Sequence, residues 1–546
     1  MGDALRFNTK PSPQLRSFEF FSLLTRLRRS SLSATGTTTQ EERIVAISSP
    51  SAWEADGVTS RHNALLDRSL KLPGPPRVHG LDPQLAQLRL ARNPLGRMSE
   101  LFDRYGAPVA LVRGGGGRVF SVDPNCPGVV FVRGSNLAKQ IMLDHDRFHR
   151  SALTGQLTPS SDVPRTRPIL EWGTGLFAVN GDEHRRHRRL LSPFFNRSHI
   201  ETYAEAMQRA TAAMLNRWKP GQLVDVHREM MDLTLRNSAK TLLGLDVNVD
   251  HDIVRAGAES LRLVLSPWVL LAPWDLPGFP YRRFLEAVRF FNQRMRSIID
   301  ERRRTPDASN DVLTKLISAR DEAGALSDAE VVGHASIVYA ASHDTTGNGL
   351  TWTLFLLTQH PSWYRAVSEE VRSTVVNDAP TLDELERLQI LDGVIRESLR
   401  LLPPAPWTTR IAATDTHVGS HFIPKGTEVV LSIFHTHRIE PIYHHPNTFD
   451  PGRWQHIKPD VFQFTAFGAG ARSCIGSGLA LLHMKLILAM LIRRYRMEFH
   501  SHQRIDPVLN ITMAPRHGLR MRVHCDGDFE SGAGSVRGSI TALFAG

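Results

Sequence analysis

The segment Phe467-Gly-Ala-Gly-Ala-Arg-Ser-Cys-Ile-Gly476 decides the fold of this chain, and each residue type in it has a chemical reason. A thiolate ligand must stay deprotonated, so it needs positive potential and N–H donors directed at its sulfur. Gly468, Gly470 and Gly476 let backbone N–H groups approach, because they have no Cβ. Cys474 precedes a predicted helix, whose positive dipole end favours negative charge. The segment therefore predicts that Cys474 is a thiolate ligand.

Two further residues of this segment support the same interpretation. Arg472 is placed to pair with an anionic group of a bound cofactor, and Phe467 can shield the sulfur from water. A glycine loop that caps a helix beside an uninvolved cysteine is the plainer alternative, but it does not explain the whole set. A zinc site is weaker still, because no second cysteine lies near Cys474.

This segment resembles the cytochrome P-450 signature Phe-x-x-Gly-x-Arg-x-Cys-x-Gly at every defined position. The resemblance extends over roughly residues 73–526, the bulk of the chain. It implies a haem-thiolate monooxygenase with heme b (iron-protoporphyrin IX) as cofactor and Cys474 as the axial ligand of the haem iron. It also implies a set of cofactor-binding residues: Cys474, Arg472, His184, Arg188, Arg410, Phe467, Gly468 and Gly476.

Residues 181–188, Gly-Asp-Glu-His-Arg-Arg-His-Arg, resemble the helix that binds the haem propionates in this family. The spacing of four puts His184 and Arg188 on one helix face; many members have Trp-x-x-x-Arg there. A solvated basic helix is the alternative. Arg410, which follows the Pro403-Pro404 pair after the helix predicted over Leu391–Leu402, fits another propionate contact. A basic rim for an acidic redox partner would consist of Arg185, Arg186 and Arg189.

Glu397-Ser-Leu-Arg400 places an acid and a base three residues apart on one helix face, a common surface arrangement. In the family such a pair is followed by a segment whose arginine completes a buried triad. Residues 449–454, Phe-Asp-Pro-Gly-Arg-Trp, fit that segment. The resemblance thus implies a structural triad of Glu397, Arg400 and Arg453 that holds the cysteine segment in place. Since every charge in a buried network needs its partner, we expect loss of one member to be severe.

Ala341-Ser-His-Asp-Thr-Thr346 interrupts an otherwise apolar helix. Ser and Thr can bond back to the preceding turn and kink a helix, which is one interpretation. The other is catalytic: Asp344 and Thr345 match the family's acid–alcohol pair, which delivers protons to bound dioxygen. Ser342 stands where the family usually has Gly, and His483 stands where it often has Glu.

The chain is predicted to be mainly α with small β-sheets (α+β), in the cytochrome P-450 fold. The haem would lie between the long central helix and the helix that follows Cys474. A capping box of Ser327 and Glu330 begins the long helix, which runs to about His360. The other predicted elements are helices over Leu391–Leu402 and from Cys474 through Leu491, and strands over Val109–Val112, Gly128–Val132 and Glu428–Ser432.

The composition of the chain limits the other classes of protein to which it could belong. The 546 residues carry a formal net charge of +11 and three cysteines, Cys126, Cys474 and Cys525. Without zinc-finger spacing or an aromatic RNA-binding signature, no nucleic-acid partner is expected. No apolar run of about 18 residues predicts a transmembrane helix, although a peripheral membrane contact stays open. We expect a polar, basic N-terminal extension over 1–72, the haem domain over 73–526 and a flexible tail over 527–546.

The expected reaction inserts one oxygen atom from dioxygen into a hydrophobic substrate, with electrons from a separate ferredoxin or diflavin reductase. The alternatives are an oxygen-independent isomerase, a peroxide-driven peroxygenase or a non-catalytic haem-binding relative. The cysteines are few and odd in number, which favours a reducing intracellular compartment, with the cytoplasm as the first choice. Residues 1–40 are rich in Arg and Ser, a composition that also permits an organelle transit peptide. The expected substrate-facing segments are Pro164–Phe177, Leu265–Tyr281, Val338–Ala341, Ala405–Trp407 and Ile511–Met513.

Overall fold

Helices dominate the structure, a computed structural model, and small sheets lie at its edges. All described residues belong to one compact unit. The predicted N-terminal extension lies almost wholly outside them. The structure describes residues 70–544 apart from 122, 124, 151–156, 158–163, 265, 267–268, 270–272, 306–310, 510–511 and 526–533.

Sixteen α-helices are present among the described residues. In chain order they are α1 (Asp82–Arg92), α2 (Pro94–Tyr105), α3 (Ser135–Leu143), α4 (Arg167–Gly173), α5 (Gly181–Leu191), α6 (Arg197–Asn216), α7 (Val226–Leu243), α8 (His251–Val264), α9 (Pro280–Arg304), α10 (Val312–Ser318), α11 (Asp328–Gln359), α12 (Pro361–Thr374), α13 (Leu382–Arg387), α14 (Gln389–Leu401), α15 (Ile433–Thr436) and α16 (Ser477–Arg494).

The long central helix α11 begins and ends where the sequence predicts. Ser327 accepts a hydrogen bond from the backbone N–H of Glu330, and the Glu330 carboxylate accepts one from the backbone N–H of Ser327. Pro361 follows the last turn and begins α12. From Thr346 to Thr358 every residue of α11 is buried. The helix therefore forms the centre of the main hydrophobic core and packs against α7, α14 and α16.

Fourteen short strands form the sheets of the described chain. They are β1 (Val109–Ala110), β2 (Val129–Val132), β3 (Phe148–His149), β4 (Leu223–Asp225), β5 (Arg320–Asp321), β6 (Gly324–Ala325), β7 (Trp407–Ala412), β8 (Thr416–Val418), β9 (His421–Ile423), β10 (Glu428–Ser432), β11 (Tyr495–Phe499), β12 (Pro507–Leu509), β13 (Met513–Pro515) and β14 (Arg520–Cys525).

The largest sheet has five strands in the order β1-β2-β10-β7-β3. Its β2–β10 pair is parallel, with Val129 opposite Glu428, and its other pairs are antiparallel. The strand predicted over Val109–Val112 is shorter than expected. It ends at Ala110, and four glycines with positive φ follow at 114–117.

The end of the chain differs from the flexible tail expected over 527–546. Residues 534–544 pack on the domain: Ile540 is buried, and a 3₁₀ helix runs over Ser539–Leu543. Backbone hydrogen bonds join this segment to the strand region near Ile505, whose N–H donates to the carbonyl of Arg537 over 2.7 Å. In the part of the chain described, none of the helices is both long and apolar enough to cross a bilayer.

Candidate active site

The cysteine segment forms a closed loop before α16. The backbone N–H of Cys474 donates to the carbonyl of Phe467 over 2.7 Å. Gly468 and Gly470 have φ values of 66° and 67°, the left-handed region that favours glycine. A Cβ on Gly470 would lie 2.4 Å from the carbonyl oxygen of Met142. These two glycines are therefore required by the backbone of the loop itself.

The Cys474 thiol lines a site rather than an open surface. The side chain is accessible, yet the surrounding protein raises the pKa of the thiol by burial. The backbone N–H of Gly476 and the charge of Arg188 act in the opposite direction. A Cβ on Gly476 would touch Phe195 at 3.9 Å, so the described chain gives no steric reason for glycine there. A cation bound at the sulfur would supply the positive charge that a thiolate needs.

Helix α5 presents two of the predicted cofactor-binding residues to this loop. Arg188 donates to the carbonyl and the hydroxyl of Ser473, over 2.8 and 3.0 Å. His184 is 2% exposed, and its Nε2 has no hydrogen-bond partner among the described residues. Burial, together with the charges of Arg472 and Arg188, lowers the pKa of His184 to about 3. His184 thus carries a buried, neutral ring with an unpaired nitrogen.

Three arginines from distant parts of the chain meet beside α5. Burial lowers the pKa of Arg410 to about 9 and that of Arg472 to about 10, and each is further lowered by the charge of Arg150. Arg472 donates to the Leu176 carbonyl over 2.8 Å and to the Asn180 amide oxygen over 2.7 Å. In the described chain the ionised groups acting on Arg410 and Arg472 are other arginines, not carboxylates.

This cluster fits haem. Like charges held close together in a buried place are unfavourable unless an anion joins them. Haem carries two carboxylates, so the arginines and the orphaned nitrogen of His184 match what its propionates need. Cys474 lies in the loop to which Arg188 is bonded. The structure therefore places together the predicted residues His184, Arg188, Arg410, Arg472 and Cys474.

Sequence reasoning missed Arg150. No motif surrounds it, and its position depends on strand register: His149 of β3 pairs with Ile411 of β7, which brings Arg150 beside Arg410. Arg150 also lies over the ring of Phe177, with its guanidinium carbon 4.5 Å from the ring centroid. Only knowledge of the pairing between these two strands could have identified it.

The triad forms around Glu397, which is fully buried. Arg400 donates to both carboxylate oxygens over 2.8 and 2.9 Å, and Arg453 donates to Oε1 over 2.9 Å. The backbone N–H of Asp450 and the indole N–H of Trp454 complete the set, each over 3.0 Å. Because Glu397 accepts five hydrogen bonds, its charge is well compensated in a dry interior.

The predicted acid and alcohol of α11 have different partners. The Thr345 hydroxyl donates to the carbonyl of Ala341 over 2.7 Å, as the kink interpretation requires. The Asp344 carboxylate instead accepts from the Thr512 hydroxyl, which accepts from the Asn348 amide over 3.0 Å. Thr512, expected in a substrate-facing segment, is thus buried against Asp344. The role of the pair in proton delivery stays a prediction.

The predicted basic rim is partly neutralised. Arg185 pairs with Asp182, and Arg186 donates to Asp321 over 3.0 and 3.2 Å. Arg189 is exposed. The rim therefore presents less net positive charge to a partner than the three arginines alone suggest.

Comparison with known proteins identifies the family of the chain. The family model for cytochrome P450 matches residues 73–519. Pentalenene oxygenase of Streptomyces avermitilis is 31% identical over 64% of this chain and 80% of its own length. Cyclooctatin synthase of Streptomyces melanosporofaciens is 32% identical over 65% of this chain and 79% of its own. Putative cytochrome P450 136 of Mycobacterium tuberculosis is 30% identical over 78% of this chain and 85% of its own.

Solved structures show the same fold. A cyanobacterial CYP120A1 bound to retinoic acid superposes with a TM-score of 0.69 at 23% identity, over 84% of this chain and all of that one. The haem domain of cytochrome P450DA gives a TM-score of 0.71 at 24% identity, over 84% and 99% of the two chains. The family match over residues 73–519 and the curated relatives show that the chain is a haem-dependent monooxygenase that belongs to the cytochrome P450 family.

Proposed function

We propose that this protein inserts one oxygen atom into a hydrophobic, terpene-like substrate, using electrons from a separate redox protein. The observation that carries the catalytic part is the convergence of Arg150, Arg410 and Arg472 beside the loop of Cys474. The substrate class rests on relatives whose names are pentalenene oxygenase and cyclooctat-9-en-7-ol 5-monooxygenase.

The cofactor is proposed to be heme b. The three cysteines of the sequence form no Cys-x-x-Cys-His motif, so the c-type covalent attachment of haem through that motif is not expected. Cys474 would bind its iron, while the arginine cluster and His184 would bind its carboxylates. When bound, the haem supplies oxygen activation and one-electron chemistry, which a thiolate ligand favours.

The chain's own contribution to proton supply is proposed to come from α11. The Asp344 carboxylate is positioned by the hydroxyl of Thr512. The Thr345 hydroxyl donates its one hydrogen to the carbonyl of Ala341. Its oxygen lone pairs can still accept a hydrogen bond from another donor. A single turn of helix thus carries an acid and an alcohol that can pass protons while the apolar helix around them excludes bulk water.

The substrate is proposed to contact the apolar segments expected from the sequence. Two of these segments contain nearly buried apolar side chains: Trp172, Leu176 and Val338 are each 7% exposed. A hydrogen bond from the Thr174 hydroxyl to the Ala329 carbonyl joins the end of α4 to α11. Two others, Leu265–Tyr281 and Ile511–Met513, lie partly outside the described residues. Large apolar side chains with few polar partners fit a hydrocarbon skeleton.

A reducing intracellular compartment and an external electron donor belong to the same proposal. The sparse, odd set of Cys126, Cys474 and Cys525, none of them in a disulfide, favours a compartment where disulfides do not persist. The net charge of +11 favours an acidic redox partner, which suits a ferredoxin or the flavin domain of a reductase.

The proposal is tested by isotope labelling. Purified holoprotein, a ferredoxin reductase system and a panel of terpenes and terpene alcohols are incubated under ¹⁸O₂. We expect at least one product that carries one ¹⁸O atom and whose formation needs both reductant and oxygen. A product formed equally well without oxygen would favour an isomerase, and one formed only with added peroxide would favour a peroxygenase; either result would refute the proposal.

A further inference from the structure

Helices α5 and α11 each present an acid and a histidine four residues apart. On α5 the pair is Glu183 and His187, and on α11 it is Glu330 and His334. A spacing of four places the members of each pair on one helix face. Ligand atoms of Glu183, His187 and Glu330 all lie within 4.8 Å of one another. The His334 ring lies next to His187, with the two ring centroids 4.9 Å apart, although its nitrogens are outside that group of three.

The two histidines have unpaired nitrogens. His334 is 0% exposed, and neither of its ring nitrogens has a hydrogen-bond partner in the described part of the chain. His187 is 1% exposed; its Nε2 lies 2.9 Å from Oε1 of Glu330, and its Nδ1 has no partner among the same residues. A buried polar group without a partner carries a free-energy cost. Bonds to a further ligand would remove that cost.

We propose that Glu183, His187, Glu330 and His334 form a binding site for a divalent transition-metal ion of the Zn²⁺ class, separate from the haem site. Imidazole nitrogens and carboxylate oxygens both bind zinc, usually with four ligands in a tetrahedral arrangement. Two carboxylates also balance the charge of the ion. Binding displaces the proton shared by Nε2 of His187 and Oε1 of Glu330, and that proton leaves to solvent.

The second histidine offers a free lone pair. A metal binds the neutral form of imidazole through a ring nitrogen that carries no proton. Neither nitrogen of His334 has a hydrogen-bond partner among the described residues, so a metal ion would displace no existing bond of this ring.

The neighbouring charges leave the site available. Arg186 approaches Oε1 of Glu330 to 3.8 Å, but its shorter bonds, 3.0 and 3.2 Å, go to the carboxylate of Asp321. The backbone N–H and hydroxyl of Ser327 bond to Oε2 of Glu330, over 2.6 and 2.7 Å. Oε1 therefore faces His187, while Oε2 keeps its role in the cap of α11.

The position of the site gives it a consequence. Helix α5 also carries His184 and Arg188, each one residue after a proposed ligand of the same helix. Arg188 is bonded to the cysteine loop. An ion bound by both α5 and α11 would fix α5 against the central helix. We therefore expect metal binding to raise the thermal midpoint of the holoprotein and to slow the loss of haem.

The test uses chelator-treated holoprotein titrated with Zn²⁺ in a calorimeter. The variants are Glu183→Gln, whose parent side chain is exposed, and His334→Leu, which removes both unpaired nitrogens. The matched control is Glu498→Gln, because Glu498 also contacts a histidine, His524, over 2.8 Å but belongs to no group of three ligands among the described residues. Circular dichroism and the haem spectrum check that each variant is folded.

We expect about one tight site per wild-type chain, an unchanged site in the control, and affinity weaker by roughly tenfold or more in both site variants. Zn²⁺ should also raise the thermal midpoint of the wild type and the control but not of the site variants. No tight binding by the wild type, or equally tight binding by Glu183→Gln, would overturn the proposal. If His334→Leu fails to fold, Glu183→Gln alone decides.

Discussion

The backbone N–H of Thr465 donates a hydrogen bond to Nε2 of His437 over 2.8 Å. Because Nε2 accepts, the proton of this neutral ring is on Nδ1, which donates to the carbonyl of Arg400 over 3.2 Å. The Thr465 carbonyl accepts from the N–H of Gly468 over 2.9 Å. One imidazole therefore connects the buried triad to the loop that contains Cys474.

This connection predicts the effect of changing His437. Phenylalanine keeps the ring and its stacking on Phe464, but it leaves the N–H of Thr465 and the carbonyl of Arg400 unpaired. We expect His437→Phe to lose about 2 kcal/mol of stability and to lose haem faster than wild type. His437→Gln, which keeps an acceptor, should lie between them. Haem transfer to a colourless acceptor protein measures this; equal rates in all three proteins would show that the ring does not hold the loop.

The arginine cluster predicts an effect on haem retention. Arg410→Met removes one buried cation from a group that includes Arg150 and Arg472. If this group binds the propionates, haem should dissociate roughly tenfold faster, as expected for one lost charge-assisted bond. Arg217→Met is the control, because Arg217 is exposed and pairs with Glu229 far from the loop. A haem dissociation rate unchanged in Arg410→Met would argue against the propionate role.

The acid–alcohol pair predicts an effect on coupling. Thr345→Ala should lower the product formed per electron by roughly tenfold or more, because a positioned proton donor typically contributes about 10²–10⁴-fold, and should raise peroxide release. Thr353→Ala is a matched control: its hydroxyl also donates to the carbonyl four residues earlier, over 2.7 Å, on the same helix. Reductant, peroxide and product are measured together. Full coupling in Thr345→Ala would refute the role of this hydroxyl.

Buried histidines predict a loss of stability in acid. Burial lowers the pKa of His437 to about 3 and that of His483 to about 4, while unfolded histidine titrates near 6.5. Between those values the unfolded state binds the proton and the folded state does not. The free energy of unfolding should therefore be constant above about pH 6.5 and fall toward pH 4, by about 1.4 kcal/mol per pH unit for each ring.

Urea unfolding of the holoprotein at pH 7 and pH 5 measures this slope. His483→Gln should reduce it, because the ring of His483, 2.6 Å from the Asn237 amide, no longer takes up a proton on unfolding. His417→Gln, at an exposed position, should leave it unchanged. A slope that is the same in all three proteins would contradict the assignment.

The parts of the site that could be predicted are those encoded locally. The glycines of the loop, the Ser327–Glu330 cap and the Glu397–Arg400 pair each lie within one short segment, so residue type and spacing identify them. Spacing alone does not identify Arg453, which only the resemblance to the cytochrome P-450 family indicates. The structure confirms these contacts at hydrogen-bond distance.

The remaining features depend on contacts between distant segments. Arg150 joins the cluster through the register of β3 against β7. Thr512 reaches Asp344 across 168 residues of chain, and Ile540 is buried against the domain although the polar composition of its own segment does not predict burial. Periodicity and composition describe a segment, not its neighbours, so none of these contacts could be read from the sequence.

The most direct test concerns the bond between Cys474 and the haem iron. Purified protein is reduced under carbon monoxide, and its Soret band is compared with that of Cys474→Ser. The wild type should show the red-shifted band of thiolate ligation, and the variant should lose it while retaining its fold by circular dichroism. A wild type without that band, or a variant with the same band, would contradict the account.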